Sequence, residues 1–194
     1  KWWCPMVLVS YIASYYGQAV GLTDHMGLIQ QYPPEILAEV EFIFVDDGCD
    51  DHPFDEEHVA QLRRVAERMK IPHVRFFRID RDVGFNSGGA KNVGLTQGTG
   101  QVFFLTDLDC AVRPAHVQQW FDMAKRVAAQ GEGDPRWVRF KSGSGKTHNN
   151  LHLVHRSVTE QWGIYDEDFS GLYGFEDHDL IWRWNVVGSV AYDT

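Results

Sequence analysis

The sequence predicts an α/β fold in which a mostly parallel central sheet is flanked by helices. Short apolar runs alternate with amphipathic stretches along the chain, which is the pattern of alternating strands and helices. One run, residues 42–45, is Phe-Ile-Phe-Val and is therefore apolar on both faces, as expected of a strand inside a parallel sheet. The 194 residues suffice for a compact core, so we expect a single domain over residues 1–194.

Six apolar runs are predicted to form strands, and the chain ends in a further extended stretch at residues 190–192. The runs are short and rich in β-branched and aromatic residues, which favours strands over helices. The predicted strands cover residues 6–12, 40–45, 73–78, 101–106, 137–140 and 151–155.

Three segments are predicted to be helices because their apolar residues recur with helical spacing. The first covers residues 56–69 and the third covers about 177–187. The second begins at Pro114, where a missing N–H costs nothing, and ends at Gly131. Their apolar faces, which include Trp120 and Trp184, are interpreted as core packing.

Composition excludes several classes of protein. The formal net charge is −9 and no basic face is visible, which argues against nucleic-acid binding. Three cysteines without a CxxC pair (positions 4, 49 and 110) argue against a disulfide framework or zinc knuckle, and favour a reducing, cytoplasmic compartment. No apolar run is long enough for a membrane span and no signal peptide is visible. Because the chain opens without Met and stops in a strand, we expect it to be truncated.

Acidic residues follow two of the predicted strands. Asp46 and Asp47 come directly after residues 42–45, and Asp107 and Asp109 follow another apolar run. In parallel sheets ligands bind beyond the carboxyl ends of the strands. Side chains at positions i and i+2 of an extended segment point the same way, so Asp107 and Asp109 can converge on Mg²⁺ or Mn²⁺. The alternatives are a solvated turn and a polar strand end.

A glycine-rich segment at residues 88–94 is a candidate phosphate-binding turn, because glycines allow close approach and a helix N-terminus attracts phosphate. Arg81 or Lys91 would supply positive charge there, and Asn86 precedes the turn. The segment is neither a dinucleotide fingerprint nor a P-loop.

Glu176 and Asp177 stand at the start of the third predicted helix. Acidic residues at that position often serve only as caps; the functional interpretation makes one of them a general base acting on a hydroxyl nucleophile. An ordinary aspartate pKa near ~3.9 would leave it ionised at neutral pH. Three nearby aromatics, Tyr165, Tyr173 and Phe175, suit the C–H faces of sugars.

Three histidines, His148, His152 and His155, lie within eight positions and must be weighed as metal ligands. His152 and His155 fall in a predicted strand, where an i, i+3 pair faces opposite sides. We therefore expect structural or surface roles for them.

Four motifs together resemble the GT-A glycosyltransferases, specifically the inverting family two and its relatives. They are FIFVDDG at 42–48, Ala-x-Asn-x-Gly at 90–94, TDLDC at 106–110 and GLYGFEDHDL at 171–180, in that order. The resemblance spans roughly residues 6–194. It implies a GT-A, Rossmann-like fold with a nucleotide-binding half at about 1–110 and an acceptor-binding half at about 111–194.

The resemblance implies a metal-dependent transfer of sugar from a nucleotide sugar, with UDP-sugar favoured, to a hydroxyl acceptor in glycan or polysaccharide synthesis. Asp46 or Asp47 would contact the base, and Ser14 and Tyr15 would lie at the end of a strand lining the base pocket. The implied nucleotide-binding residues are Ser14, Asp46, Asp47, Arg81, Asn86, Lys91 and Asp107.

The resemblance also implies a divalent metal, Mn²⁺ or Mg²⁺, held by Asp109 directly and by Asp107, which also faces the ribose. Asp177 is implied as the catalytic base, with Glu176 beside it. The implied acceptor-binding residues are Tyr173, Phe175 and Glu176.

Two features depart from the family pattern. The family often has Arg where Lys91 stands. A Lys ammonium is a point charge, whereas an Arg guanidinium can donate two parallel hydrogen bonds to a phosphate. Many relatives place a metal-binding His after the strand that follows the acidic helix, whereas this chain ends at Thr194.

Several alternatives stay open. A non-catalytic sugar-nucleotide-binding domain would keep the same motifs, and a retaining transferase would keep the same fold. A sugar-nucleotide pyrophosphorylase would need a glycine-rich loop after the first strand. A phosphohydrolase of the haloacid-dehalogenase type would carry its D-x-D motif near the N-terminus.

Overall fold

The computed structural model describes residues 7–131, 133–141 and 146–192, and seven strands within them form one sheet. The apolar runs account for most of these strands. In chain order they are β1 (Val9–Tyr15), β2 (Val40–Asp46), β3 (Val74–Arg78), β4 (Val102–Asp107), β5 (Trp137–Lys141), β6 (Thr147–His155) and β7 (Val190–Tyr192).

Helices connect most of the strands, as expected for parallel neighbours. Short 3₁₀ turns cover Pro114–His116, Glu167–Phe169 and Asn185–Val187. The α-helices are α1 (Ala19–Ile29), α2 (Pro34–Leu37), α3 (Glu56–Arg68), α4 (Ser87–Gln97), α5 (Val117–Ala129), α6 (Arg156–Trp162) and α7 (Glu176–Trp184).

The sheet has the order β3-β2-β1-β4-β6-β5-β7. β1 pairs in parallel with β2 and β4, and β2 pairs in parallel with β3. β6 runs antiparallel to β4 and β5, whereas β7 is parallel to β5. The predicted α/β class with a mostly parallel sheet is confirmed.

Two apolar layers cover the sheet, one on each face. Tyr11 and Phe42 pack in the layer that includes α1, α3 and α5, while Ile12 and Ile43 pack in the layer that includes α4, α6 and α7. Successive strand residues point to opposite faces, so a strand covered on both sides must be apolar throughout. Every residue of β2 is buried, which explains the continuous apolar run that predicted a parallel sheet.

The first strand is displaced from its prediction by three residues. It runs over Val9–Tyr15 rather than 6–12, and Met6, the predicted start, lies outside the described residues. The polar pair Ser14 and Tyr15 continues the ladder to Val45 and Asp46 of β2. Pairing with the neighbouring strand therefore extends β1 beyond its apolar run and brings both side chains to the edge where the chain's acidic motifs lie.

Helix α4 is one that hydrophobic periodicity does not predict, because its sequence contains Gly88, Gly89 and Gly94. Tertiary packing explains the glycines. A Cβ on Gly94 would lie 2.3 Å from Cγ2 of Ile12, which is fully buried in β1. Glycine therefore lets α4 approach the centre of the sheet, at a cost in intrinsic helix propensity.

The acidic helix is shorter than predicted. It begins at Glu176 and ends at Trp184, and a 3₁₀ turn continues over Asn185–Val187. The helices α1, α2 and α6 are further elements that the sequence pattern does not predict. No helix in the described parts of the chain is both long and apolar enough to cross a membrane.

Substituting Gly94→Ala is expected to lower the free energy of unfolding by about 1–2 kcal/mol. Overpacking a core costs roughly 1–3 kcal/mol, which exceeds the gain of at most about 1 kcal/mol in helix propensity. Gly27→Ala in α1 is the matched control, because its added Cβ meets nothing within 4 Å. It should stabilise the protein. Urea titrations measure both values; an unchanged or raised stability for Gly94→Ala would contradict the packing account.

Candidate active site

A cleft of about 640 Å³ opens at the carboxyl ends of β1, β2 and β4. Five carboxylates from separate parts of the chain line it, those of Asp47, Asp107, Asp109, Glu176 and Asp177. Aromatic and amide side chains complete the wall, including Tyr15, Tyr16, Gln18, Phe85, Asn149, Asn150, Tyr173 and His178. The acidic groups that the sequence singled out therefore share one site.

The two aspartates that follow β2 have different surroundings. Asp46 is fully buried, and its carboxylate accepts hydrogen bonds from the backbone N–H of Cys49 (3.0 Å) and of Phe54 (2.8 Å). The Arg78 guanidinium lies 3.5 Å away. Burial raises the pKa of Asp46 despite these partners. Its carboxylate holds the turn together and is not among the groups that line the cleft.

Asp47 is the member of the pair that faces the cleft. Its Oδ2 accepts a hydrogen bond from the backbone N–H of Asn86 at 2.8 Å. Its Oδ1 is buried and has no hydrogen-bond partner within the described residues. Burial raises the pKa of Asp47 to about 7. An unpaired buried oxygen is costly, so this carboxylate is suited to pair with a ligand N–H or hydroxyl.

The end of β1 forms one side of the same cleft. The Ser14 and Ser87 hydroxyls lie 3.0 Å apart, which links β1 to the N-terminus of α4. Tyr15 stacks on Phe54 with ring centroids 4.5 Å apart, and its hydroxyl donates to the His52 carbonyl. Ser14 and Tyr15 thus lie where the sequence expected them. Ser87 carried no signal in the sequence.

Lys91 is placed differently from its expected role. Its side chain is 1% exposed, and its ammonium lies 2.7 Å from Oδ1 of Asp107. The same ammonium is 5.6 Å from the centroid of the Tyr165 ring. Because Lys91 is enclosed beneath the cleft and already paired, it is not free to contact a phosphate in this arrangement. Its charge instead acts on Asp107.

Both carboxylate oxygens of Asp107 have partners. Oδ1 contacts Lys91, and Oδ2 accepts a hydrogen bond from the side-chain amide of Asn150. Burial opposes ionisation of Asp107, but the Lys91 ammonium and the Asn150 amide outweigh it and hold the pKa below its usual value. Asn150 comes from the antiparallel strand β6, far away in the sequence. Sequence patterns give no signal for it.

Asp107 and Asp109 are the residues that would hold a divalent metal. Both supply carboxylate oxygens to the same cleft, and Asp109 is exposed. Oxygen donors of this kind suit Mg²⁺ or Mn²⁺. No group of three or more His, Cys, Asp or Glu side chains in the described residues is arranged to hold a metal. β4 ends at Asp107 and Asp109 lies in the following turn, so the two carboxylates are not aligned by an extended segment as the sequence predicts. Both oxygens of Asp107 already have partners, Lys91 and Asn150, so the exposed Asp109 is the more accessible ligand for a metal, whose remaining ligands would come from phosphates and water.

Asp177 and Glu176 enter the cleft from the start of α7. The Tyr165 hydroxyl donates a hydrogen bond to Oδ1 of Asp177 at 3.2 Å. Burial is the main cause that raises the pKa of Asp177 to about 6, with Lys91 opposing and Glu176 adding to the rise. The pKa is therefore higher than the ordinary value we expected from sequence. Glu176 is 5% exposed and accepts the backbone N–H of Gly174.

Tyr165 is fixed from two sides. Asn92 of α4 donates to its carbonyl and accepts from its N–H, both at 2.9 Å. A Cβ on Gly88 would meet the Tyr165 ring at 3.1 Å. The glycine-rich segment thus seats the tyrosine that contacts Asp177.

The remaining predicted residues are dispersed. Arg81 is exposed on the loop after β3 and does not line the cleft. Asn86 is buried, and its side-chain oxygen accepts the hydroxyl of Ser170 rather than facing the cleft. Tyr173 lines the cleft and is 82% exposed, whereas Phe175 is 71% exposed outside the cleft lining. Phe85, which the sequence did not single out, lines the cleft.

His152 and His155 have structural partners, and Nδ1 of His148 accepts the backbone N–H of Asn150 at 3.2 Å. His152 is fully buried, and its Nδ1 lies 3.3 Å from Nε1 of Trp137. Burial lowers the pKa of His152 to about 3, so it is neutral. The His155 side chain caps α6 through the backbone N–H of Ser157.

Replacing Lys91 with Met is expected to destabilise the fold by about 2 kcal/mol. Breaking a fully buried pair costs roughly 3–5 kcal/mol, and the loss is smaller here because Asp107 retains 24% exposure. Lys125→Met is the matched control, since its pair with Asp122 is about half exposed and should contribute under about 1 kcal/mol. Chemical denaturation of both variants measures the difference. Equal losses would contradict the special role of the Lys91 pair.

Comparison with known proteins identifies a family and a fold. The family model described as Glycosyl transferase family 2 matches residues 28–183. No curated protein sequence shows a significant match. Solved structures show the same fold at low sequence identity, and the chain spans 54 to 59% of the length of the three described next.

The chain is similar to Staphylococcus aureus TarS 1-349, with a TM-score of 0.71 and 13% identity over 97% of this chain and 58% of that one. A second TarS 1-349 structure, in complex with UDP-GlcNAc, has a TM-score of 0.68 and 13% identity over 97% of this chain and 59% of that one. The mannosyltransferase PcManGT from Pyrobaculum calidifontis, in complex with GDP-Man and Mn²⁺, has a TM-score of 0.68 and 17% identity over 96% of this chain and 54% of that one. The fold is thus that of GT-A glycosyltransferases, and the family match over most of the chain places this protein in glycosyl transferase family 2.

Proposed function

We propose that this protein transfers a sugar from a nucleotide-sugar donor, with UDP-sugar favoured, to a hydroxyl of a glycan acceptor in polysaccharide synthesis. The observation that carries the proposal is the meeting of Asp47, the Asp107–Asp109 pair and Asp177 in one cleft. These groups have distinct environments, and each suits a different task in glycosyl transfer. The similar TarS and PcManGT structures contain UDP-GlcNAc and GDP-Man respectively, which supports a nucleotide-sugar donor.

Asp47 is proposed to bind the nucleobase. Its buried Oδ1 lacks a partner within the described residues, and a ring N–H of uracil would supply one. A site built to hydrogen-bond a ligand N–H discriminates strongly against ligands that lack it. Ser14 and Tyr15 form the adjacent wall.

Asp109, together with Asp107, is proposed to hold Mn²⁺ or Mg²⁺. A divalent metal bound there would supply positive charge toward the diphosphate of the donor. Lys91 keeps Asp107 ionised and fixed, so this carboxylate is oriented before the donor arrives. Preorganised charge of this kind lowers the barrier without rearrangement during the reaction.

Asp177 is proposed to be the general base. It takes the proton of the acceptor hydroxyl while the hydroxyl oxygen bonds to the anomeric carbon and the bond from that carbon to the diphosphate breaks. A direct displacement of this type inverts the anomeric centre. A pKa of about 6 makes Asp177 a stronger base than an ordinary aspartate, yet leaves it mostly ionised at pH 7. Tyr165 orients it through the hydrogen bond to Oδ1.

Nucleotide binding is expected to raise the melting temperature of the protein. A thermal-shift panel tests this with UDP, GDP, dTDP and the corresponding nucleotide sugars, each in the presence of Mn²⁺ or of EDTA. A ligand at 100 times its Kd stabilises by about 2.7 kcal/mol, or roughly 5–10 °C for a domain of this size. We expect UDP with Mn²⁺ to give the largest shift. Asp109→Asn should lose the Mn²⁺-dependent part, while Asp24→Asn, an exposed carboxylate of α1, should not.

A shift of equal size in EDTA would contradict the proposed metal. The absence of a shift with every nucleotide would contradict the donor proposal.

Asp177→Asn is expected to lower donor turnover by about 10²–10⁴-fold, the usual contribution of a general base, while the thermal shift with UDP and Mn²⁺ remains. The assay is release of nucleoside diphosphate from the donor that gives the largest thermal shift. Asp168→Asn, an exposed carboxylate nearby, is the control and should keep near-normal turnover.

The wild-type rate should depend on pH through Asp177. Because the base must be ionised, the rate should fall about tenfold per pH unit below about pH 6 and level off above it. Near-normal turnover by Asp177→Asn, or a rate that is flat from pH 5 to 8, would refute the assignment. The anomeric proton of the product, observed by NMR, reports whether the centre is inverted.

A further inference from the structure

Two exposed aromatic rings form a corner in the wall of the cleft. Phe85 is 36% exposed and Tyr173 is 82% exposed. Their ring centroids lie 4.7 Å apart with an interplanar angle of 67°. Both side chains line the same cleft as Asp177. We call this pair the aromatic corner.

The segments that carry the aromatic corner are tied together by their backbones. The N–H of Gly171 donates to the Phe85 carbonyl at 2.8 Å, and the hydroxyl of Ser170 donates to Oδ1 of Asn86 at 2.7 Å. Gly171 has a φ of +85°, and a Cβ there would lie 2.9 Å from the Val83 carbonyl oxygen. A glycine is therefore required for the close contact. The corner is held in place rather than being a chance encounter of two mobile side chains.

The chemistry around the corner selects one kind of occupant. The rings contribute apolar surface to the cleft, whereas Asn149, Asn150 and His178 supply hydrogen-bonding groups in the same lining. A ligand that fits must present a flat apolar face edged with hydroxyls, and a pyranose ring is such a group. Aromatic rings are large apolar surfaces that need little ordering on binding. A serine or threonine hydroxyl of a protein acceptor has no such face.

We propose that the aromatic corner binds the pyranose ring of the acceptor, so that Phe85 and Tyr173 select a sugar as the acceptor. The proposal rests on the proposed glycosyl transfer, and it adds Phe85 to the acceptor site. Phe175 does not belong to the corner, because it lies outside the cleft lining. Stacking on the corner would place the ring in the cleft that also holds the base Asp177.

The test is saturation-transfer difference NMR on the whole chain with UDP and Mg²⁺ present. The probes are methyl β-glucopyranoside, methyl α-mannopyranoside and methyl β-N-acetylglucosaminide, with sorbitol as an acyclic polyol. Phe85→Ala, Tyr173→Ala and Tyr173→Phe are compared with the wild type. Trp182→Ala is the matched control, because Trp182 is 75% exposed but does not line the cleft.

We expect at least one pyranoside to show signal in the wild type, strongest for the protons of one ring face, and sorbitol to show none. Phe85→Ala and Tyr173→Ala should each reduce that signal by about fivefold, while Tyr173→Phe and Trp182→Ala should retain it. No signal with any pyranoside, or equal signals in Tyr173→Ala, Phe85→Ala and the wild type, would overturn the proposal.

A separate readout distinguishes failure of this proposal from failure of the proposed function. The UDP- and Mn²⁺-dependent thermal shift should be the same in Phe85→Ala and Tyr173→Ala as in the wild type, because the proposal assigns neither ring to the nucleobase or the metal. If that shift is present and the pyranoside signals do not depend on the corner, only the acceptor proposal is wrong. If the shift is absent in the wild type, the donor proposal is wrong as well.

Discussion

Lys91 is a cation enclosed beneath a cleft whose walls carry five carboxylates. Carboxylates gathered in one partly desolvated site repel one another and resist ionisation. Its ammonium contacts Asp107 at 2.7 Å and also lowers the pKa of Asp177 against the effect of burial. The ionised state of the site therefore depends on a residue that does not itself line the cleft.

The position of Lys91 follows from the packing of α4 against the sheet. Gly94 allows the helix to approach Ile12 of β1, and Gly88 leaves room for the ring of Tyr165. Lys91 lies between these glycines on the same helix. The glycine-rich segment, which the sequence predicts as a phosphate-binding turn, brings a buried cation to the acidic residues and leaves room for Tyr165. The weak helix propensity of α4 is the cost of this approach.

The carboxylates of the cleft differ in pKa because of their surroundings rather than their residue type. Burial raises the pKa of Asp47 to about 7 and that of Asp177 to about 6, whereas Lys91 and Asn150 hold that of Asp107 low. Groups whose environments separate their pKa values are suited to different roles in one reaction. The acidic groups of the site therefore differ in pKa before any cation or donor diphosphate binds.

Sequence alone could predict the parts of this arrangement that depend on local pattern. The apolar run before Asp46 predicts a buried strand, and the carboxyl ends of parallel strands share an edge, so Asp47, Asp107 and Asp109 were expected together. Which of Asp46 and Asp47 faces the cleft was not predictable. The answer depends on two backbone N–H groups, of Cys49 and Phe54, that enclose Asp46.

Long-range contacts account for what the sequence missed. Asn150 reaches Asp107 from a strand 43 positions away, and Phe85 meets Tyr173 only because two loops are joined. Neither pair has a spacing that a periodic pattern could reveal. Hydrophobic periodicity does not predict the extent of helix α4 because its glycines, which oppose helix formation locally, are favoured by tertiary packing.

Asn86 joins the two sides of the cleft. Its backbone N–H donates to Oδ2 of Asp47, and its side-chain oxygen accepts the hydroxyl of Ser170. Asp47 and the segment that precedes Tyr173 are thereby connected through one buried residue. A displacement of Asp47 would have to break or carry this chain of hydrogen bonds, because a buried polar group left unpaired is costly. Asp47 and Ser170 are thus linked through Asn86, although 84 positions separate Asn86 from Ser170 in the sequence.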